Sequence, residues 1–303
     1  RDPAAVASLS RAVAERWVGR VAVSPPIARH QDAGERLAQA REILARRGVG
    51  FPLVAKPDIG QRGVGVKRID GEAGLLDYFS RFPKGQAVIL QTLITRPCEA
   101  GVLYARKPGE AHGRVTSLAL KTFPTVTGDG VHTLRQLILS DNRCRKLARV
   151  YFSKQRELLD VVLPAGEVRQ LNFAGNHAQG TIFLNGNDAI TPAMAAVFDE
   201  IGRALGEFYY GRFDIRYDSL EQLQRGEGFT IIEVNGAGAE PIHMWDGRMT
   251  LREAYQVVMW QYRHLYEVGA VNVRRGFGTL SLWQVIRDYR YVRRLVKRYP
   301  AAD

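Results

Sequence analysis

The chain has 303 residues, 46% of them hydrophobic and 24% charged. That is globular composition at a length that suits about two domains, and it excludes wholesale disorder and fibrous repeats. The 43 Lys and Arg against 31 Asp and Glu leave a net charge of +12. This points to an anionic partner or substrate without choosing among nucleotide, nucleic acid and lipid. Two cysteines, Cys98 and Cys144, are too few for a disulfide scaffold or a four-thiolate zinc site. No apolar run is long enough to span a bilayer. The start at Arg1 rather than Met leaves an upstream segment open.

In chain order, Val6, Leu9, Val13 and Trp17 predict a helix over 3–18, broken at Pro25-Pro26. A second helix is expected over 31–47, ending at Gly48. Residues 51–56 read as a buried strand, followed by a glycine-spaced turn through Gly60, Gly63 and Gly65. A short helix over 72–80 follows, then strands over 87–93, 101–106 and 115–120. Three strands in such close succession predict an antiparallel sheet. Thr133 and Gln136 have capping-box spacing for a helix over 133–140. Strands are expected at 159–163 and 181–184. Thr191-Pro192 opens a helix lined by Val197, Ile201 and Leu205. Residues 213–217 and 229–234 read as strands. Thr250 and Glu253 start a helix of about 17 residues. Residues 248–303 hold eleven Lys or Arg against four Asp or Glu. There Leu282, Ile286, Tyr289 and Val296 keep helical spacing, with Arg287, Arg290, Arg294, Lys297 and Arg298 on the other side. The expected organisation is a helical region over 1–49, a small subdomain over 50–110, a larger one over 111–247, and basic helices over 248–303.

Two places carry chemistry. Glu233 and Asn235 share one face of a strand because side chains alternate. With Asp214 on a neighbouring strand, three oxygen-bearing side chains would converge, a donor set suited to Mg²⁺ completed by substrate phosphates. The alternative is a salt-bridged strand end, with Glu233 paired to Arg212 or Arg216. Lys56 ends a buried strand beside Gly60, Gly63 and Gly65, where backbone N–H groups could approach a phosphate. An ordinary hairpin turn is the alternative. The pattern is neither a Walker loop nor a GxGxxG opening a helix.

The ordered set resembles an ATP-grasp enzyme of the branch that contains D-alanine–D-alanine ligases and related carboxylate–amine ligases. The segment over 51–57 with Gly60, Gly63 and Gly65 resembles the signature whose lysine, here Lys56, contacts ATP phosphates under a folded loop. Residues 88–94 resemble the strand that holds adenine, which implies contacts at Gln91 and Leu93; the family usually has Glu where Gln91 stands. Glu99 resembles the acid that binds ribose hydroxyls. Lys121 matches a lysine that reaches the nucleotide, and Arg212 an arginine that stabilises the transferring phosphate or acyl intermediate. Residues 176–180 resemble a loop near the acceptor; His177 there would orient the acceptor or take its proton, the alternative being an exposed or hydrogen-bonded loop histidine. Asp214, Glu233 and Asn235 match the magnesium ligand set.

The resemblance covers about 50–247 and implies an α+β (α/β) fold in which two subdomains hold a nucleotide between them. Fewer than 50 residues precede the signature, so the N-terminal domain usual in the family is expected to be reduced, truncated or replaced. Another basic residue is expected before Lys56, with Arg29 and Arg36 both available. The implied function is an ATP-dependent carboxylate–amine ligase that forms an amide or peptide-type bond through an acyl phosphate. Its cofactors would be ATP and Mg²⁺ or Mn²⁺, and its substrates a small carboxylic acid and an amine, such as an amino acid or peptide. A small-molecule kinase, a non-catalytic nucleotide-binding protein and a nucleic-acid-binding protein are the alternatives. No nucleic-acid partner is expected, because no recognised RNA-binding motif is present. His243, after Glu240-Pro241-Ile242, is expected near the site, where it would contact substrate or cap a turn. A cytoplasmic location is expected because ATP is available there. The basic C-terminal helix is expected to pack on the catalytic body, to bind an acidic product or to lie on an anionic membrane.

Overall fold

The structure, a computed structural model, describes residues 16–26, 32–60, 63–172, 175 and 180–300. Strand β1 (Val21–Ser24) leads through helix α1 (Ala33–Arg47) to β2 (Leu53–Pro57) and β3 (Lys67–Ile69). Helix α2 (Glu72–Arg81) and β4 (Val88–Thr92) follow. These strands form an antiparallel sheet in the order β1-β4-β2-β3. Asp32 starts α1 by accepting from Glu35 N at 2.8 Å, while Glu35 accepts from Asp32 N at 3.0 Å. Gly48 ends the helix in the left-handed conformation. The helix turns Leu37, Ala40 and Leu44 onto the sheet, where they join Ala22, Leu53, Ala55 and Leu90. Arg36 lies inside this core. It donates to Ser24 Oγ at 3.1 Å and Gln86 O at 2.7 Å, and its guanidinium sits over Phe79. Arg36 is thus occupied in holding α1 to the small sheet; Arg29 lies outside the described residues.

The chain continues through β5 (Cys98–Ala105), β6 (Arg114–Thr122), β7 (Thr125–Thr127), α3 (Leu134–Ser140), α4 (Ala148–Lys154), β8 (Val168–Gln170) and β9 (Ile182–Asn185). It then forms α5 (Pro192–Ala204), β10 (Tyr210–Tyr217), α6 (Leu220–Gln224), β11 (Phe229–Asn235), α7 (Leu251–Arg274) and α8 (Leu282–Val296). Five of the strands make a second antiparallel sheet, β11-β10-β5-β6-β9. The described residues are therefore α+β, with two larger antiparallel sheets that each have their own apolar core and a two-stranded β7-β8 sheet that packs with α3 and α4.

Alternation divides the larger sheet. Phe213, Ile215, Ala100, Val102 and Leu118 face the core under Met194, Phe198 and Ile201 of α5. The intervening residues form the opposite face. Thr191 accepts from Met194 N at 3.2 Å and so caps α5, with Pro192 in the first turn. Trp17 closes the same core by stacking on Phe229, with ring centroids 4.6 Å apart. Most of the helix expected over 3–18 lies outside the described residues.

Local expectations differ from the structure in several places: the strands expected over 87–93, 101–106 and 115–120 do not share one sheet, because the first pairs with β1 and β2 in the smaller sheet and only the other two pair in the larger. Residues 159–163 are not a strand: Leu159 and Leu163 are buried beside α3 and α4, and Val162 makes only an isolated bridge to Thr133. Short apolar runs do not separate a strand from a buried loop. Strand β1 and helix α4 had no legible signal of their own. Helix α7 runs for 24 residues, because Gly269 does not stop it. A mid-helix glycine costs about 1 kcal/mol, and burial of His264 and Val268 offsets this.

Helix α8 docks by its end. Leu295 and Tyr299 are buried in the small-sheet core, and Tyr299 stacks on Phe82 at 5.1 Å. No helix among the described residues is long and apolar enough to cross a membrane.

Candidate functional site

Register assembles a cluster across four strands of the larger sheet. In β10, Arg212, Asp214 and Arg216 point away from the core. Across β5 their opposite positions are Leu103, Gly101 and Glu99. Lys121 of β6 lies opposite Glu99. On the other side, Asp214 lies opposite Glu233 and Arg212 opposite Asn235 of β11. Residues separated by more than 130 positions in the chain therefore share one patch.

The bonds within the patch are specific. Lys121 donates to Glu99 at 2.8 Å and to Asp214 at 3.1 Å. Arg212 grips Asp214 with two nitrogens, each at 3.0 Å. Asn235 donates to Asp214 Oδ2 at 2.8 Å. Arg216 meets Glu99 at 3.4 Å. The side chains of Lys121, Glu99 and Asp214 are only 4–5% exposed. Burial works to raise the Asp214 carboxyl, but Arg212 and Lys121 outweigh it and hold it well below the usual carboxylate range. Burial likewise opposes the charge of Lys121, and Asp214 and Glu99 reverse that and raise it. Both groups are thereby kept ionised in a dry setting.

Two glycines make the packing possible. A Cβ on Gly101 would fall 2.9 Å from Arg212 Cδ and 3.3 Å from Asp214 Oδ1. A Cβ on Gly175 would fall 2.2 Å from Glu99 Oε1. Neither glycine was a candidate from sequence, because the need for space appears only when the strands pair.

Lys56 brings in the smaller sheet. It donates to Gln91 Oε1 at 2.7 Å and to the Ile232 carbonyl at 2.9 Å. The carbonyl is offered by a bulge: Asp214 faces Glu233 whereas Ile215 faces Ile231, so Ile232 is the extra residue. Lys56 thus ties the glycine-loop sheet to the strand bearing Glu233 and Asn235. Leu93 follows β4 at the same edge.

Gly63 and Gly65 have positive φ, 71° and 76°. A Cβ on Gly65 would lie 2.8 Å from Pro57 Cγ and 3.2 Å from Tyr299 Cβ. Tyr78 donates to the Gly65 carbonyl at 2.8 Å. The loop is therefore held by α2 and by the residue just beyond α8. Gly60 is part of the loop; Gln61, Arg62 and His177 lie outside the described residues.

The structure thus brings together Lys56, Gln91, Glu99, Lys121, Arg212, Asp214, Glu233 and Asn235. Asp214 lies opposite Glu233, and Asn235 reaches Asp214 with its amide nitrogen. Among the described residues no group of three or more His, Cys, Asp or Glu forms a metal nest by itself. A divalent cation here would take substrate oxygens to complete its shell, which is how Mg²⁺ is commonly held at phosphate sites.

No family model matches the chain, and no curated protein matches it. Solved structures do. One is a bifunctional glutathione synthetase from Pasteurella multocida, at 14% identity and a TM-score of 0.39, over 82% of this chain and 34% of that one. Another is the D-cycloserine synthetase DcsG, at 16% identity and 0.44, over 87% of this chain and 70% of that one. A third is the VanG D-Ala:D-Ser ligase from Enterococcus faecalis, at 15% identity and 0.43, over 85% of this chain and 60% of that one. This chain spans about a third of the glutathione synthetase and less than two thirds of the VanG ligase. None of the three supplies a residue role to this chain.

Proposed function

We propose that this chain is an ATP-dependent carboxylate–amine ligase of the ATP-grasp kind, working through an acyl phosphate. The observation that carries this reading is the position of Lys56 between two sheets. It joins the glycine loop and Gln91 to a buried Lys121–Asp214–Arg212 cluster flanked by Glu233 and Asn235. The order of these residues is that of the motifs recognised in the sequence.

The substrate carboxylate would attack the γ-phosphorus of ATP and release ADP. An amine would then attack the resulting acyl phosphate and release inorganic phosphate, with its proton passing to a base. Lys56, Lys121 and Arg212 would supply donors to the phosphate oxygens, aimed before reaction and worth more in a water-poor site. Asp214, Glu233 and Asn235 would hold Mg²⁺, which when bound neutralises charge on the phosphates. Gln91 and the backbone at Leu93 would hold the base, and Glu99 the ribose. His177 stays a proposal for the acceptor side.

Calorimetric titration with a nonhydrolysable ATP analogue, with and without Mg²⁺, tests the reading. Magnesium-dependent binding that is lost in Glu233→Ala is expected. Phosphate release that requires both an acid and an amine should follow in a substrate screen. A folded protein that binds no nucleotide would overturn the assignment.

A further inference from the structure

Most of the exposed large apolar side chains among the described residues lie on α7, on α8 and on the loop between them. Helix α7 docks on the body through buried Gln261, His264 and Val268. Another face of it carries Leu251, Tyr255, Met259, Tyr262, Tyr266 and Val273, each between 52% and 77% exposed. At 3.6 residues per turn these six fall within about 80° of the helix circumference. No charged residue interrupts that stripe. Arg252, Arg263 and Arg274 are exposed along one edge of it, three turns apart. Arg263 shares Glu267 with Lys107, which leaves the edge cationic. A helix face turned to water ordinarily carries charged side chains. An uncharged stripe along the length of α7 marks a surface that something covers.

Helix α8 repeats the pattern with more charge. Its end docks through Leu295 and, just beyond the helix, Tyr299. Its first two turns hold Leu282, Trp283, Val285 and Tyr289, between 47% and 79% exposed. Arg287, Arg290, Arg293 and Arg294 are exposed beside them, against Asp288 as the one acid of the helix. Phe277 and Leu280, in the loop between the two helices, are exposed as well.

Charge decides what covers these faces. A second copy would set another cationic surface against the first, in a chain whose net charge is +12. Like charges brought together oppose such pairing. An anionic lipid surface complements them: apolar side chains enter the acyl boundary and arginines meet the headgroups. Tyr and Trp settle at that boundary because their rings are amphipathic.

We infer that the exposed faces of α7 and α8, with the loop between them, dock this protein on an anionic lipid bilayer. Contact is in the plane of the surface, with Leu280, Leu282, Trp283 and the α7 stripe toward the acyl chains. The surface uses none of the groups placed at the nucleotide site, so it stands apart from the ligase reading.

The test is sedimentation of the full chain with vesicles of phosphatidylcholine, with and without added phosphatidylglycerol. Binding to the anionic vesicles is expected to be tighter by about tenfold or more. It should weaken as salt rises from about 0.1 M to 1 M and the Debye length falls from about 10 to 3 Å. One arginine at such a surface is worth about a fivefold change in affinity. Arg287→Glu combined with Arg290→Glu should therefore weaken binding by about tenfold or more. Arg46→Glu combined with Arg47→Glu, exposed at the end of α1, changes the net charge equally and should leave binding near wild type. Leu282→Ser combined with Trp283→Ser, and Met259→Glu alone, should weaken binding with Tm unchanged, since all three side chains are exposed. No binding to anionic vesicles overturns the inference. Equal losses in the two charge variants would show adsorption by net charge alone and also overturn it. So would a dimer in sedimentation velocity that Met259→Glu disperses, which would give the α7 stripe to a second copy.

Discussion

Lys121 faces two buried carboxylates, Glu99 and Asp214. Losing it leaves their charges under-compensated, and breaking such a buried pair costs about 3–5 kcal/mol. Lys121→Met should lower stability by that order in urea unfolding; a change under 1 kcal/mol would show that the cluster does not depend on this cation. Asp214 gives a pH prediction. Its folded-state pKa is depressed, so its stabilisation is present above the ordinary Asp value of about 3.9 and is lost as pH falls through the folded-state value. Acid unfolding of the wild type should therefore steepen below about pH 4. Asp214→Asn should be less stable at neutral pH and show a shallower fall in acid. Equal slopes for the two proteins would contradict the ion-pair account. Asp246 adds to the wild-type slope, because Arg248 and the Asn185 N–H hold its carboxyl low as well.

Elements set these side chains in place by ordinary local rules. Strand alternation turns Phe213 and Ile215 into the core and Arg212 and Asp214 out of it. The bulge at Ile232 then lets Glu233 face Asp214 while offering a carbonyl to Lys56. Helix α7 is tied to the segment after β11 through Gln261 and the Ala239 carbonyl, and its first turn depends on a capping box. Thr250 accepts from Glu253 N at 3.3 Å, and Glu253 accepts from Thr250 N at 2.7 Å. Thr250→Ala should cost about 0.5–2 kcal/mol in thermal or urea unfolding. An unchanged unfolding midpoint would show that the cap does not hold the helix start.

At the scale of the molecule, two sheets with separate cores are joined by Lys56 of the smaller one, which donates to the Ile232 carbonyl of the larger. A ligand that bridges the sheets should stabilise them together. At a free concentration 100 times its Kd, a ligand specific for the folded state adds about 2.7 kcal/mol. The Mg²⁺–ATP analogue should therefore raise Tm by several degrees in the wild type and not in Lys56→Ala, read by scanning calorimetry. A Tm shift that survives the substitution would remove Lys56 from the nucleotide site.

Much of the site was legible in the amino-acid sequence because its chemistry is local in kind. Lysine at a strand end, paired Glu233 and Asn235 on one strand face, and a glycine-spaced turn each announce themselves through residue type and period. So did the caps at Thr191, Thr250 and Thr133, which follow from short-range hydrogen bonding. The close spacing of the strands over 101–106 and 115–120 foretold their antiparallel pairing, but not that the strand over 87–93 joins the smaller sheet. Tertiary structure alone decided the rest. Which carboxylate meets Lys121, why Gly101 and Gly175 have no side chain, how Ile232 turns its carbonyl to Lys56, and which face of α7 stays exposed all depend on strand register and helix docking. These bring together residues far apart in the chain, and a one-residue slip in register would turn each side chain to the other face of its sheet.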